Sequence, residues 1–450
     1  MLPAMNMTLP PTIAVLQAPM PPMAPPASSL PRGRSITGVK SHNLRAVLLT
    51  LLQRRAISRV ELTRLTGLSS TTITNLIAEL LEHGIVVEAG KDSAYERAAT
   101  GRPPRLLRLV PSARCAVGIH IGVDTLHVGV ANLFGELQSY LVTRQEVGAT
   151  PEQTLRQAAD MVLQALAGAG IAAPGTERNG CMVGVGVGAS GLTDPETGIN
   201  ILAPNLGWRN VPVRAILAQH LGCPVAVDNN VRAMALAEAM FGAGRGVHSL
   251  IFVYGRVGVG AGFVVDGEVY HGSLAGAGEI GHTTIIPAGG APCRCGNTGC
   301  LETLVAEAEV VRQAQILAAL IPEGVLASYL AGDIEAPVDR VFAAAEAGDR
   351  DAETLLNERA FYVGTALANL VNTVNPDMII LGGLFVGGEG RMLPAIEETL
   401  RRRSFAGLGE RTVLRATTFG HKVGVIGAAA LALDAFFYRQ DMAEDHTNNL

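Results

Sequence analysis

Glu279-Ile280-Gly281-His282 is followed by Cys293-Arg294-Cys295-Gly296-Asn297-Thr298-Gly299-Cys300-Leu301-Glu302. One histidine and three cysteines in so short a span form the donor set of a closed tetrahedral zinc site. Gly296 and Gly299 let the backbone wrap around an ion. Four protein donors leave no position for a reactive water. The expected cofactor is therefore a structural Zn2+ held by His282, Cys293, Cys295 and Cys300. The other cysteines, Cys115, Cys181 and Cys223, are scattered and form no disulfide framework.

The chain around this knuckle has 450 residues, 48% apolar and 17% charged, enough for two or three units with buried cores. Its 52 glycines favour a turn-rich α/β protein over a helical bundle. No apolar run reaches the ~18 residues of a membrane span. The proline-rich N-terminus lacks the basic-then-apolar pattern of a signal peptide. A cytoplasmic protein with no membrane partner is expected. The net charge of −5 is uneven: residues 1–110 hold 13 Lys/Arg against 6 Asp/Glu, so the acid excess lies in the remainder. A basic head on an acidic body points to a polyanion for the head alone.

Residues 1–37 are rich in Pro, Met and Ala, without helical or strand period, and read as a disordered tail. Residues 38–112 form the head. Leu44, Val47, Leu48, Leu51 and Leu52 recur at helical spacing within Asn43 to Arg54. Ser58, with Glu61 three residues on, starts a second helix that ends near Gly67. A third follows Ser69 or Ser70, buries Ile73, Leu76, Ile77, Leu80 and Leu81, and ends at Gly84. A strand from Ile85 to Glu88 and a returning strand from Arg105 to Val110 complete a winged helix-turn-helix. From Ala116, read as one strand-like run to Ala131, strands alternate with helices to about residue 435, in the rhythm of an α/β fold. Residues 113–438 are read as the body and 439–450 as a C-terminal tail.

The start of the third helix carries Ser70, Thr71, Thr72, Thr74 and Asn75, small hydrogen-bonding side chains suited to a major groove and its phosphates. Arg102, in Thr100-Gly101-Arg102-Pro103-Pro104, stands at a stiffened loop tip where a guanidinium can enter a minor groove. The expected partner of the head is a double-stranded DNA operator.

With Pro204-Asn205-Leu206-Gly207-Trp208, Asp228-Asn229-Asn230, Phe241-Gly242-Ala243-Gly244 and Asn375-Pro376-Asp377 leading to Gly382-Gly383, the knuckle resembles the ROK family of repressors, open reading frames and sugar kinases. The resemblance spans residues 40–435, and the head resembles that of the repressor branch. It implies a two-lobed, actin-like (sugar kinase/ribonuclease H-like) body with a sugar in its cleft. The implied sugar ligands fall on Asn229, Asn230, Glu279, His282 and Glu302, with Asn205 and the loop Gly188–Gly191 lining the same pocket. Carboxylates and amides suit the paired hydroxyls of a sugar ring. His282 would face the metal with one ring nitrogen and the sugar with the other.

Measured against the family's kinases, three catalytic parts are missing. Asn230 stands where they carry a basic Asp, and an amide cannot accept the hydroxyl proton. His120-Ile121-Gly122-Val123-Asp124 stands for Asp-x-Gly-Gly-Thr, and Arg256-Val257-Gly258-Val259-Gly260 for Gly-Thr-Gly-x-Gly. No catalytic residue is assigned. The expectation is a sugar-gated repressor, a homodimer or tetramer, with a monosaccharide or derivative as effector. Two alternatives stand beside it: a sugar kinase of residual activity, and a repressor whose effector is a protein.

Overall fold

A computed structural model describes residues 36–91, 105–146, 148–176, 181–332 and 336–439. The expected 1–37 tail, Arg102 and the 439–450 tail lie outside the described residues, except for positions 36, 37 and 439. The chain divides into two compact units. One comprises residues 249–263 and 276–417; the other holds the described residues of 36–248, 264–275 and 418–439.

The second unit opens with the head. Helix α1 spans Ile36–Arg54, α2 Arg59–Thr66 and α3 Ser70–Glu82. Their ends follow local chemistry. Ser58 Oγ accepts the Glu61 N–H at 3.3 Å, and Gly67 closes α2 in the left-handed conformation. Ser69 Oγ caps α3 by accepting the Thr72 N–H at 3.1 Å. Strands β2 (Val86–Lys91) and β3 (Arg105–Leu109) make the wing. A two-residue strand, β1 (Ile57–Ser58), pairs with the outer edge of β3 and turns the expected hairpin into a three-stranded sheet. Helix α1 starts seven residues earlier than the leucine spacing indicates.

The body portion of this unit is a five-stranded sheet. Its order is Val225–Asn229, Met182–Ala189, Cys115–Ile121, Thr125–Asn132 and Leu137–Arg144. The first three strands run parallel, and the rest join antiparallel. The single run expected over 116–131 is therefore two strands, broken at Gly122, whose N–H bonds the Thr125 carbonyl. Alternation assigns the faces. Val117, Ile119, Ile121, Val185 and Val187 pack with Leu155, Val162 and Leu217 of the helices Pro151–Gly168 and Val213–Leu221. Gly118 and Gly186, offset by one, form a bare floor on the other face. The C-terminal helix Val423–Leu433 lies on that floor: a β-carbon at Gly118 would stand 2.1 Å from the Val425 carbonyl oxygen, and one at Gly186 1.8 Å from that of Ala428. The stretch Gly420–Tyr438 has the length and mean hydropathy of a membrane span, yet 67% of it is buried here. Its end joins the core of the head, where Leu433, Phe437 and Tyr438 cluster with Leu48, Leu51, Ile57 and Leu107.

The first unit is built on parallel strands Ser249–Gly255, Met378–Gly383 and Val413–Ala416, with the strand that starts at Val259 beside the first. Its core packs Ile251, Val253, Ile379 and Leu381 against the helices Arg350–Val374 and Leu393–Arg403.

Gly186→Ala is expected to lower the thermal unfolding midpoint by several degrees, because overpacking costs about 1–3 kcal/mol and the obstructing atom is backbone. Gly168→Ala meets only the Ser139 β-carbon at 3.9 Å. That variant is expected to be neutral or more stable by up to about 1 kcal/mol, through helix propensity. Scanning calorimetry of the two variants checks the contrast.

Candidate functional site

The knuckle lies in the first unit. His282 ends a short 3-10 turn, Ile280–His282, that Glu279 precedes. The Cys293 N–H bonds the Asn297 carbonyl at 2.7 Å, and the Gly296 N–H bonds the Cys293 carbonyl at 3.0 Å, closing the loop around the thiols. Gly299, at φ +70°, has no room for a side chain: a β-carbon would lie 1.9 Å from the Ile286 carbonyl oxygen. Donor atoms of His282, Cys293, Cys295 and Cys300 all lie within 4.8 Å of one another. Cys293 Sγ is 3.5 Å from His282 Nδ1, and Cys295 Sγ is 3.7 Å from Cys300 Sγ. The four residues expected to hold an ion are thus brought together, and they can hold a metal. Burial, and then the neighbouring thiols, push the Cys300 thiol up to about 12; burial also raises Cys293. A divalent cation reverses that bias, since it binds the thiolate.

The six residues expected to bind sugar divide evenly. Glu279, His282 and Glu302 belong to the first unit, and Asn205, Asn229 and Asn230 to the second. Glu302 opens a helix two residues after Cys300, and its Oε2 accepts the Val259 N–H at 3.1 Å. Glu279 is exposed and His282 half-buried. In the second unit Asn229 caps the helix Asn230–Met240. Its Oδ1 accepts from the Val231 and Arg232 N–H groups, and its Nδ2 donates to the Gly191 carbonyl at 2.9 Å. Asn230 Nδ2 reaches Ser190 Oγ at 3.3 Å. The Asn229-Asn230 pair is therefore gathered with the Ser190-Gly191 loop, and Asn229 spends its amide on holding that loop. Asn205 sits half-buried in the turn between strands Ile199–Ala203 and Trp208–Val211.

Beneath this pair lies a network that motif reading missed. Asp228, in the buried strand before Asn229, accepts the Asn229 N–H at 2.6 Å and Arg232 Nε at 2.7 Å. Arg232 is 1% exposed and also donates to the carbonyls of Ala275 at 2.6 Å and Thr193 at 2.8 Å. The signal in the sequence was an acid ending an apolar strand, with an arginine four residues on.

On the head, Ser70, Thr71, Thr74 and Asn75 are exposed on α3, opposite buried Ile73, Leu76, Ile77 and Leu80. Thr72 differs. It is half-buried, and its hydroxyl lies 2.9 Å from that of Ser69, so it belongs to the helix cap. At the wing, Arg105 and Arg59 pair with Glu88 and hold its carboxyl below the ordinary range.

The ROK family profile matches residues 116–435. A xylose repressor of Caldicellulosiruptor bescii is 33% identical over 399 residues, 88% of this chain and 96% of that protein. A glucokinase of Halalkalibacterium halodurans is 33% identical over 330 residues, 71% of this chain and 95% of the enzyme. The crystal structure of a ROK family transcriptional regulator, a homologue of the E. coli MLC protein, superposes with a TM-score of 0.73 at 26% identity. It covers 89% of this chain and 98% of that one.

Freshly purified protein is expected to carry about one divalent ion per chain by elemental analysis. Cys295→Ser is expected to abolish stoichiometric metal and to lower the melting midpoint by at least about 5 °C, since metal-binding energy is folding energy. Metal-poor protein whose melting ignores a chelator contradicts the assignment.

Proposed function

The chain belongs to the ROK family, and on that premise we propose that it is a sugar-responsive transcriptional repressor. The observation that carries this reading is the extent of the likeness. It runs over nearly the whole length of a xylose repressor, whereas the glucokinase likeness covers less of this chain. Helix α3 supplies the reading surface, with Thr71, Thr74 and Asn75 toward base edges and Ser70 toward phosphate; Thr72 serves by capping. Arg102 takes the minor groove. Repressors of this kind act on chromosomal DNA, so the working compartment is the cytoplasm, and a homodimer or tetramer presents two heads to a pseudo-palindrome.

The metal is zinc, held structurally. At zinc's usual bond lengths of about 2.3 Å to sulfur and 2.0–2.1 Å to nitrogen, a tetrahedron spaces two sulfurs by roughly 3.8 Å and sulfur from nitrogen by roughly 3.6 Å. The distances of 3.7 and 3.5 Å support that choice. With Nδ1 turned to the metal, His282 Nε2 is the nitrogen for a sugar hydroxyl, and Glu279, Glu302, Asn230 and Asn205 supply the other contacts. Asn229 acts through its backbone and its hold on Gly191. The effector is a monosaccharide or simple derivative, with D-xylose and D-glucose the first to test.

The kinase alternative is favoured by the likeness to a glucokinase. Against it, Asn230 offers no base, and Asp124 puts an acid where a phosphate loop needs a hydroxyl.

Two results are expected. Asn75→Ala and Thr71→Ala shift base preference in the half-site by about 1–3 kcal/mol per altered contact, read by binding to duplexes varied at single positions; unchanged preference in both rejects the α3 assignment. Saturating effector sugar lowers operator affinity by about 5–150-fold, and bound operator weakens the sugar by the same factor. Glu279→Ala and Glu302→Ala abolish the response and keep DNA binding. Titrating operator with sugar for the three proteins decides it, and release of both variants at the wild-type sugar concentration removes these carboxylates from the pocket.

A further inference from the structure

Strand Glu268–Tyr270 and the residues after it join two parts of the second unit. At one end Glu268 Oε1 accepts from Arg45 Nη2 at 2.8 Å, and its other oxygen pairs with Arg439. Arg45 stands on α1 of the head, and its Nη1 donates to Asp434 at 2.6 Å. Three residues after Glu268, His271 Nε2 lies 2.8 Å from Asp228 Oδ2. The other oxygen of Asp228 holds the Asn229 N–H, and Arg232 ties the same network to the Ala275 carbonyl. A segment of eight residues, 268–275, is thus anchored twice to the Asn229 loop and once to the first helix of the head. Glu268, Val269 and His271 face a cavity of about 680 Å3, with Asp228, Asp434 and Arg439 also in its wall.

We propose that residues 268–271 are a relay that carries the state of the Asn229 loop to the head through the Glu268–Arg45 pair. The proposal rests on the reading of Asn229 and Asn230 as part of the sugar site. Three features suit the segment to this work. Asp228 and Arg232 are buried and bonded to each other, and the same network holds the Asn229 N–H and His271, so the loop and His271 are coupled through it. The cavity leaves space for a shift on one side of the strand. Arg45 holds Glu268 and Asp434 at once through different nitrogens, so withdrawal of Glu268 leaves the head held by Asp434 without Glu268. A joint held by both carboxylates, or by Asp434 without Glu268, gives the proposed switch two distinct arrangements in place of a continuous deformation. The cost of releasing Glu268 is small, because its side chain is 48% exposed and its ion pairs are screened by solvent.

The test uses the full chain, an operator duplex selected from a random pool, and D-xylose and D-glucose as probes. The quantity read is the ratio of operator affinities without and with sugar. Glu268→Gln and His271→Gln are expected to leave sugar-free operator affinity and operator-free sugar affinity within about twofold of wild type. Each lowers the ratio by at least about threefold, out of a typical coupling of about 5–150-fold. The double variant loses no more than the larger single loss, because the two residues lie on one route. A responsive wild type with unaltered ratios in both variants overturns the relay and leaves the repressor reading standing. Losses that multiply in the double variant also overturn it, since the residues then act separately. A wild type with no response to either sugar overturns the sugar reading and the relay together.

Discussion

The approach of the helix Val423–Leu433 to a floor of glycine is the constraint on which the second unit depends. With backbone carbonyls where β-carbons at Gly118 and Gly186 would stand, the helix and the sheet have no adjustable side-chain layer between them at these two positions. Such contact is rich in dispersion and poor in tolerance. It also fixes the position of everything the helix carries. Gly427 brings its backbone against Ala233 of the helix that Asn229 caps. At its far end the helix loosens into a π-helical turn, Asp434–Tyr438, which delivers Asp434 to Arg45 and buries Tyr438 with its hydroxyl on the Leu133 carbonyl. One element of the chain's last residues therefore serves the sheet, the Asn229 helix and the head. Inserted turns of this type recur where a helix has a functional task.

The polar counterpart of that apolar clamp is the Asp228–Arg232 pair. A buried ion pair is a weak source of net stability, because desolvating both charges offsets their attraction. It is nevertheless costly to leave half-made, and here each nitrogen of the guanidinium finds an acceptor. The pair is thus better understood as setting one geometry for three segments: the Asn229 loop, the turn at Thr193 and the end of the 268–275 segment. Together with Glu238, whose carboxylate receives Ala243 N–H, Thr418 N–H and the Thr418 hydroxyl, it pins loops that carry no regular structure of their own.

What was legible in the sequence was local. Ser58 and Ser69 cap their helices, Gly67 ends one, and the knuckle glycines sit at positive φ, because each feature depends on a few neighbouring residues. The short strand Ile57–Ser58 was not legible. Two residues have no period, and their partners Leu106 and Leu107 lie about fifty positions away. The break at Gly122 was hidden because the strands on either side of it are almost equally buried, so neither shows a solvent face. The basic count of the head was a coarser guide than it looked. Lys40, Arg45, Arg59 and Arg105 are paired with Glu79, Asp434 and Glu88 inside this unit, and that part of the positive charge is not presented to a polyanion. Asn229 illustrates the remaining gap: residue type suits it to a hydroxyl, but only the fold reveals how many of its hydrogen bonds are already made.

A sensor and a kinase place opposite demands on the same pocket. A kinase must release a changed molecule, so its affinity for the sugar serves the transition state. An equilibrium sensor must return its ligand unchanged, and its response is bounded by the difference in affinity between two protein states. On the proposed reading, replacing a carboxylate by the Asn230 amide removes the proton acceptor and keeps a hydroxyl partner, so occupancy reports concentration without consuming the sugar. On the same reading, Asp124 adds a charge that disfavours a nucleotide phosphate. The free energy that a kinase would direct at phosphoryl transfer is then available for one purpose, biasing the arrangement of the head. That bias needs to be only about 1–3 kcal/mol to move operator affinity by one to two orders of magnitude, the scale of a few exchanged hydrogen bonds.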